Sequence, residues 1–380
     1  MRKKTATAVS LLLCAAMAVP MAGCGDTIDG SAAAITVNDE SVSVGTANFM
    51  LRASEAETVY MMQAYGLTDG DLWDTEVGSD ETATGDEAEV STYGDSFKKN
   101  IADTIEEYVI LRQHAAEKEV SLSEEEQTNI SETAKKILDS NAEAMEKIAV
   151  TQENIEEVLE LYTYQSKMRE VLIADVDTEV SDEEACQHKI SYARLAIPQL
   201  DEDNNEIEAT DELKASYMED AEKVLAEVLT AEDPAGLDFN DYVNGDDAEI
   251  SYTCNTITYG DDDTTVPDEV KEAVSGLEDG QICSEVVVSE DEGYYIVRMD
   301  AQMDEESTES EKETIVSERQ DEAYENQVDE WKEASTITLE DGWKNLKVTD
   351  KDTYTMQTVT EEDADDTGDV VVATADETAE

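Results

Sequence analysis

Ile190-Ser191-Tyr192-Ala193-Arg194-Leu195-Ala196-Ile197, read together with Gly293-Tyr294-Tyr295-Ile296-Val297-Arg298-Met299, decides the fold class. Successive side chains of a strand turn to opposite faces. The first run puts Ile190 and Tyr192 on one face and Ala193, Leu195 and Ile197 on the other, so both faces of the strand are covered. The second run is β-branched and aromatic, the composition of another strand. Between them lie an amphipathic helix carrying Leu213, Tyr217, Ala221, Val224 and Val228, then Phe239 to Val243. Two further strands, Glu249 to Thr258 and Cys283 to Val288, flank a short helix from Asp268 to Ser275. Residues 186–300 therefore read as a compact α+β domain.

Outward from that domain the flanks turn helical. Phe97, Ile101, Ile105, Tyr108 and Ala115 recur at three-to-four spacing, with Lys98, Lys99 and Glu106 off the stripe. Ser123-Glu124-Glu125-Glu126 has the form of a capping box and opens a second helix running to about Lys147. A third helix carries Ile155, Val158, Leu159 and Tyr162, and Ser181-Asp182-Glu183-Glu184 is a further capping box opening a short helix. Upstream, Ala34 to Val44 alternates about Asn38-Asp39 as two short strands and a turn, followed by a helix from Thr46 to Tyr65. Downstream, Glu305 to Ala334 is a long charged helix whose Ile315, Tyr324, Val328 and Trp331 suit packing on another helix. Ile337 to Val348 then reads as a strand with Trp343. Residues 67–96 form an acidic loop, and 349–380 an acidic, Thr-rich tail that reads as disordered. The fold class is α+β, a helical domain formed by N- and C-terminal parts (24–185 and 301–348) with an inserted α+β domain at 186–300.

Of 380 residues, 96 are Asp or Glu and 25 are Lys or Arg, a formal charge of -71. A nucleic-acid ligand needs a basic footprint, so DNA and RNA are excluded as main partners. Charge-driven adhesion to anionic lipid is excluded for the same reason. Partners are cationic or apolar instead.

Arg2, Lys3 and Lys4 precede an uncharged run, Thr5 to Ala22, that ends in Met21-Ala22-Gly23-Cys24. A basic start, a short apolar stretch and small residues before a cut describe a secretory signal. With Cys placed directly after Ala-Gly, the segment resembles a bacterial lipoprotein signal. That resemblance implies removal of 1–23, lipidation of Cys24, and a lipid anchor on the extracytoplasmic face of the bacterial cell membrane. Cys186, Cys254 and Cys283 then remain, an odd number without a Cys-x-x-Cys pair, and His114 and His188 stand alone. A zinc site lacks its ligands, and no metal or cofactor is expected. Asp201, Asp203, Asn205 and Glu212 have calcium-loop spacing, but Glu206 stands where the loop needs Gly, so the stretch reads as solvated. Asp261-Asp262-Asp263 reads as a turn. No Gly-x-Ser-x-Gly, phosphate loop or dinucleotide fingerprint occurs.

The order of parts resembles the PrsA and SurA class of extracytoplasmic foldases, over roughly 34 to 348. The inserted unit is similar to a parvulin-type peptidyl-prolyl isomerase domain in Tyr192 to Ile197, Phe239, Pro267 to Val274, the turn Leu277-Glu278-Asp279-Gly280-Gln281-Ile282, and Gly293 to Val297. The resemblance implies a chaperone-like helical domain, unfolded or partly folded secreted polypeptides as clients, and a second copy of the chain as an allowed partner. Rotation about an X-Pro bond faces a barrier near ~20 kcal/mol, and catalysis needs an apolar proline pocket beside a polar cluster. Parvulins supply two facing histidines, and their positions fall here on Leu195 and Tyr295. The family's Gly-Gly-Asp-Leu-Gly run is missing, and its pocket Phe becomes Val270, which with Leu195 would line the proline pocket. Tyr295, Asp246, Asp247 and Cys254 are the residues left to carry catalysis. Isomerase activity is therefore expected to be weak or lost. A non-catalytic surface lipoprotein serving as an interaction or solute-binding module is the other reading, and a pure isomerase a third.

Overall fold

The computed structural model describes residues 28–64, 72–77, 91–197, 210–244, 250–290 and 292–348. The signal with Cys24, most of the acidic loop, the start of the calcium-like spacing, Asp246, Asp247 and the acidic tail lie outside these residues. The fold is α+β. Among the described residues no helix is long and apolar enough to cross a membrane, and none of their acidic, His and Cys side chains cluster as a metal site. The chain divides into two units, Met1–Asp175 with Glu322–Glu380, and Val176–Asp321.

The first unit opens with β1 (Ala33–Val37) and β2 (Glu40–Ser43), joined by a turn in which Asn38 takes φ 55°. Asn tolerates this left-handed conformation better than most residues. Next come α1 (Val44–Ala64), β3 (Glu76–Val77), β4 (Ser91–Thr92), α2 (Tyr93–His114), α3 (Glu124–Ser140), α4 (Ala142–Lys147) and α5 (Gln152–Leu172). The capping box at Ser123 forms, its hydroxyl accepting from the Glu126 N–H while the Glu126 carboxylate accepts from the Ser123 N–H. The single helix expected to about Lys147 is broken at Asn141, whose buried side chain donates to the Ile137 carbonyl at 2.9 Å and ends α3.

In the second unit, β5 (His188–Ala196) is followed by α6 (Asp211–Leu229), α7 (Phe239–Val243), β6 (Thr253–Tyr259), α8 (Asp268–Val274), β7 (Gln281–Ile282), β8 (Val287–Ser289) and β9 (Gly293–Ala301). The antiparallel sheet runs β6-β5-β9-β7, with β8 also on β9. The expected strand Cys283 to Val288 is thus two short pieces flanking a bend. The Ser181 capping box yields one turn only: Ser181 Oγ accepts from the Glu184 N–H, but the chain then leads into β5.

Helix α9 (Glu305–Ala334) starts in the second unit and ends in the first, which is completed by β10 (Ile337–Leu339) and α10 (Asp341–Asn345). Strand β10 pairs with β1 from Ile35 opposite Leu339 to Val37 opposite Ile337. Trp343, expected in a strand, sits on α10 and is buried against the α1, α2 and α5 core. The returning segment is held by basic side chains of the first helices. Arg52 Nη2 donates to the Lys347 carbonyl at 2.8 Å, and Lys98 Nζ to the Lys344 carbonyl at 3.2 Å and to that of Leu346. Tyr324 and Val328 of α9 close a second core with Leu111, Val120 and Met168.

Two expectations need correction. Residues 67–96 are not all loop: Trp73 is buried and stacks on Tyr93 at 5.6 Å, and Thr92 caps α2, because an aromatic pair with a capped helix start can bury surface that acidic neighbours cannot. Glu106 is not on the open face of its helix. It is buried, with Lys332 Nζ 3.4 Å away, so its charge is matched across the returning helix.

Burial raises the Glu106 carboxyl above the ordinary glutamate value, against the opposing pull of Lys332. The folded chain holds this proton more tightly than the unfolded chain, so stability falls as pH rises from the ordinary glutamate range through the raised value. Glu106→Gln is expected to flatten that part of the urea-midpoint curve against pH, and an unchanged slope would contradict this. A second expectation concerns Gly293, which takes φ 119°, where a Cβ would lie 2.1 Å from the Leu195 carbonyl oxygen. Gly293→Ala should cost at least about 2 kcal/mol in equilibrium unfolding, since neither backbone atom can retreat without opening the β5–β9 ladder.

Candidate functional site

Of the residues named by the resemblance, Leu195, Cys254 and Tyr295 lie on the sheet of the second unit and Val270 on α8, and the pairing of the strands decides what each can do. Arg194 lies opposite Tyr295, Leu195 opposite Tyr294, and Tyr192 opposite both Val297 on β9 and Asn255 on β6. Alternation then sends Leu195 and Tyr295 to opposite faces. Leu195 packs with Ala221, Val228, Phe239 and Tyr294 under α6 and α7, while Tyr295 packs with Val270, Val287 and Val297 beneath α8. Leu195 and Val270 therefore do not share a proline pocket. Both are fully buried core residues on separate faces, and Leu195 does not face Tyr295.

The residue that does face Tyr295 is Tyr192. Their rings meet edge-on with centres 5.3 Å apart. Asn255 Nδ2 donates to the Tyr192 hydroxyl at 3.2 Å, and the Tyr295 hydroxyl donates to the Glu292 carboxylate. Arg194 Nη1 donates to the same Glu292 oxygen at 2.8 Å. The Tyr192–Tyr295 pair on the two central strands is thus joined by the Asn255 amide of β6 and by the pair of Arg194 with Glu292, the residue just before β9. Burial, with the hydrogen bond to Glu292, pushes the Tyr295 phenol well above its ordinary value, and Arg194 opposes this only in part. Tyr295 stays a neutral phenol at physiological pH. It donates to Glu292 and has no free proton to exchange with a substrate. His188, the unit's described histidine, stands roughly 13 Å along β5 from Tyr192. There its ring lies 5.2 Å from that of Tyr259 and its Nε2 is 3.6 Å from Asp261 Oδ1.

Cys254 sits on the other face, opposite Ala193, and borders a cavity of about 400 Å³ with Ser191, Asp238, Phe239 and Thr256. Desolvation first, and the Asp238 charge second, push its thiol up to about 11. The thiolate that nucleophilic work requires is therefore scarce at neutral pH. Cys254 and Tyr295 are separated by the sheet and form no joint centre. Asp247 lies outside the described residues.

A further recess of about 760 Å³ in the first unit was not signalled by the sequence, because it joins segments far apart in the chain. Leu138, Ala142, Ala149 and Val150 give it apolar walls, and Ser43, Thr151 and Asn154 polar ones. Asn154 Nδ2 donates to the hydroxyls of Ser43 and Thr46, both at 3.0 Å, which fixes that rim.

Alkylation of Cys254 by iodoacetamide at pH 7.5, followed residue by residue in the folded chain, is expected to run far slower than that of a free cysteine and to climb with pH toward about 11. Fast labelling at neutral pH would mean that Asp238 and burial do not control the thiol.

No protein-family model matches the chain, and no curated protein matches it in sequence. Solved structures do match. The foldase protein PrsA of Lactococcus lactis is 14% identical, with 82% of this chain and 96% of that one covered at a TM-score of 0.32. The peptidylprolyl isomerase PrsA of Bacillus cereus is 18% identical, with 73% and 96% covered at 0.27. A chain from the SurA-like chaperones of Campylobacter jejuni is 10% identical, with 82% and 99% covered at 0.26. At such scores the chemistry of this chain is decided by its own residues.

Proposed function

We propose that this chain is an extracytoplasmic foldase-type chaperone, anchored through lipid on Cys24, that holds unfolded or partly folded secreted polypeptides and has lost prolyl isomerisation. The observation that carries the reading is the order of the chain: one helical unit made from segments before and after a contiguous stretch, 176–321, that forms a separate antiparallel sheet unit. The sequence resemblance to the PrsA and SurA class rests on the same order of parts. The apolar-walled recess of the first unit suits a client's exposed side chain. The large negative charge suits basic clients and keeps the holder soluble.

The tyrosine face supports the reading that isomerisation is lost. An isomerase needs a cavity for the proline ring and a polar cluster poised for the twisted amide. Here the region beside Tyr295 is filled by Val270, Val287 and Val297, and its hydroxyl is committed to Glu292.

Two assays on the same preparation test this. A short X-Pro peptide is expected to isomerise at its uncatalysed rate, over tens to hundreds of seconds. Aggregation of reduced lysozyme, a basic client, is expected to be suppressed near equimolar chaperone and less so as salt is raised. Peptide turnover that disappears in Tyr295→Phe would refute the lost-activity part, and failure to suppress aggregation at any salt would refute the chaperone part.

A further inference from the structure

The two edges of the second unit's sheet differ. One edge is made of short pieces, β7 and β8, which pair with β9 over two and three residues. The other is β6, whose seven residues pair with β5 in one unbroken register from Thr253 opposite Arg194 to Tyr259 opposite His188. In an antiparallel pair every second residue of an edge strand turns its N–H and C=O away from its partner. Among the described residues no further strand pairs with β6, and no backbone hydrogen bond outside the β5 ladder reaches its residues 253–258.

Proteins commonly protect such an edge with Lys, Pro, a bulge or a covering segment. The β6 strand, Thr-Cys-Asn-Thr-Ile-Thr-Tyr, has no charge, no proline and no register shift. The uncharged stretch extends from Ile250 to Gly260 in a chain with 32% charged residues, and Thr253, Asn255, Thr256 and Thr258 are exposed. Beside it lies the cavity of about 400 Å³ between β6 and the start of α7, where Phe239 offers an apolar wall, Asp238 a negative rim, and Arg298 a cation already paired with Asp300.

We propose that β6 is a docking edge to which an extended basic segment of a client polypeptide adds as a further strand. Main-chain hydrogen bonds along β6 supply sequence-tolerant affinity, and alternate client side chains on one face enter the cavity. Charge selects the occupant. A second copy would bring together two chains of net charge -71, each with Asp261-Asp262-Asp263 directly after the strand, whereas a Lys-bearing segment meets those carboxylates and Asp238 favourably. The proposal rests on the client-holding reading for its occupant but places the contact on one strand.

The probe is the peptide acetyl-KTVKVTVK-amide with the full chain, read by amide hydrogen exchange. Protection at Thr253–Tyr259 is expected on peptide addition. Thr258→Lys, at an exposed site with neighbouring Thr256 bonded instead to Ser191, should weaken binding at least tenfold, while Thr258→Glu should hold or tighten it. Absence of binding, or binding without protection of β6, overturns the proposal. Protection that grows with protein concentration in the absence of peptide also overturns it, assigning the edge to a second copy. Reduced-lysozyme aggregation, run on the same variants, keeps the two readings apart. Suppression with no peptide protection defeats the edge alone, and β6 protection without suppression defeats the chaperone reading alone.

Discussion

The pairing of β5 with β9 is the constraint on which the second unit depends. Once Arg194 is opposite Tyr295, every side chain on both strands is assigned a face, and two separate cores follow. Ala193, Leu195, Tyr294 and Ile296 serve α6 and α7, while Ile190, Tyr295, Val297 and Met299 serve α8. A shift of one residue would exchange the two sets and place Arg194 and Arg298 in the wrong surroundings. Arg298 shows how closely the register is used: it is nearly buried, pairs with Asp300, donates to the Leu237 carbonyl at 2.7 Å and lies over the Phe239 ring. Gly293 makes the tight start of β9 because only a residue without Cβ fits against the Leu195 carbonyl.

The first unit depends on a different device, the return of the chain after α9. Its hydrophobic contribution comes from Tyr324, Val328, Trp343 and Leu346, and its polar contribution from Lys98 and Arg52 reaching main-chain carbonyls. The Arg52–Glu55 pair is buried, an arrangement costly to assemble and costlier to break on one side. Arg112 joins Glu40 on β2 to Glu157 on α5, which ties the first hairpin to the helices through one guanidinium. Acidic residues far outnumber basic ones in this chain, so a cation such as Arg112 can serve two carboxylates at once, and basic residues are the scarce partner.

Much of this was legible in the sequence. Period-two alternation assigned Ile190 and Tyr192 to one face and Ala193 and Leu195 to the other, as the cores bear out. The Ser123 capping box and the three-to-four stripe of α2 also placed real helices. The functional face was harder. Alternation says that Tyr192 and Leu195 point oppositely, but it does not say which of them meets Tyr295, since that depends on inter-strand register fixed by the sheet as a whole. Leu195 and Tyr295, paired by the resemblance, fall on opposite faces, and Tyr192 is the residue that meets Tyr295. Glu106 and Trp343 failed for a related reason. Their burial is decided by Lys332 and by the α1–α2–α5 core, partners far away in sequence that no local window contains.

The return of the chain also orders events in time. A polypeptide that emerges amino end first completes Val176–Asp321 while the first unit still lacks α10 and the end of α9. Ile110, Leu111 and Met168 are then without the side chains that seal them. The first unit is therefore incomplete until almost the last described residue has been made, and for that interval it exposes the kind of apolar surface that the proposed chaperone role would have it recognise in others.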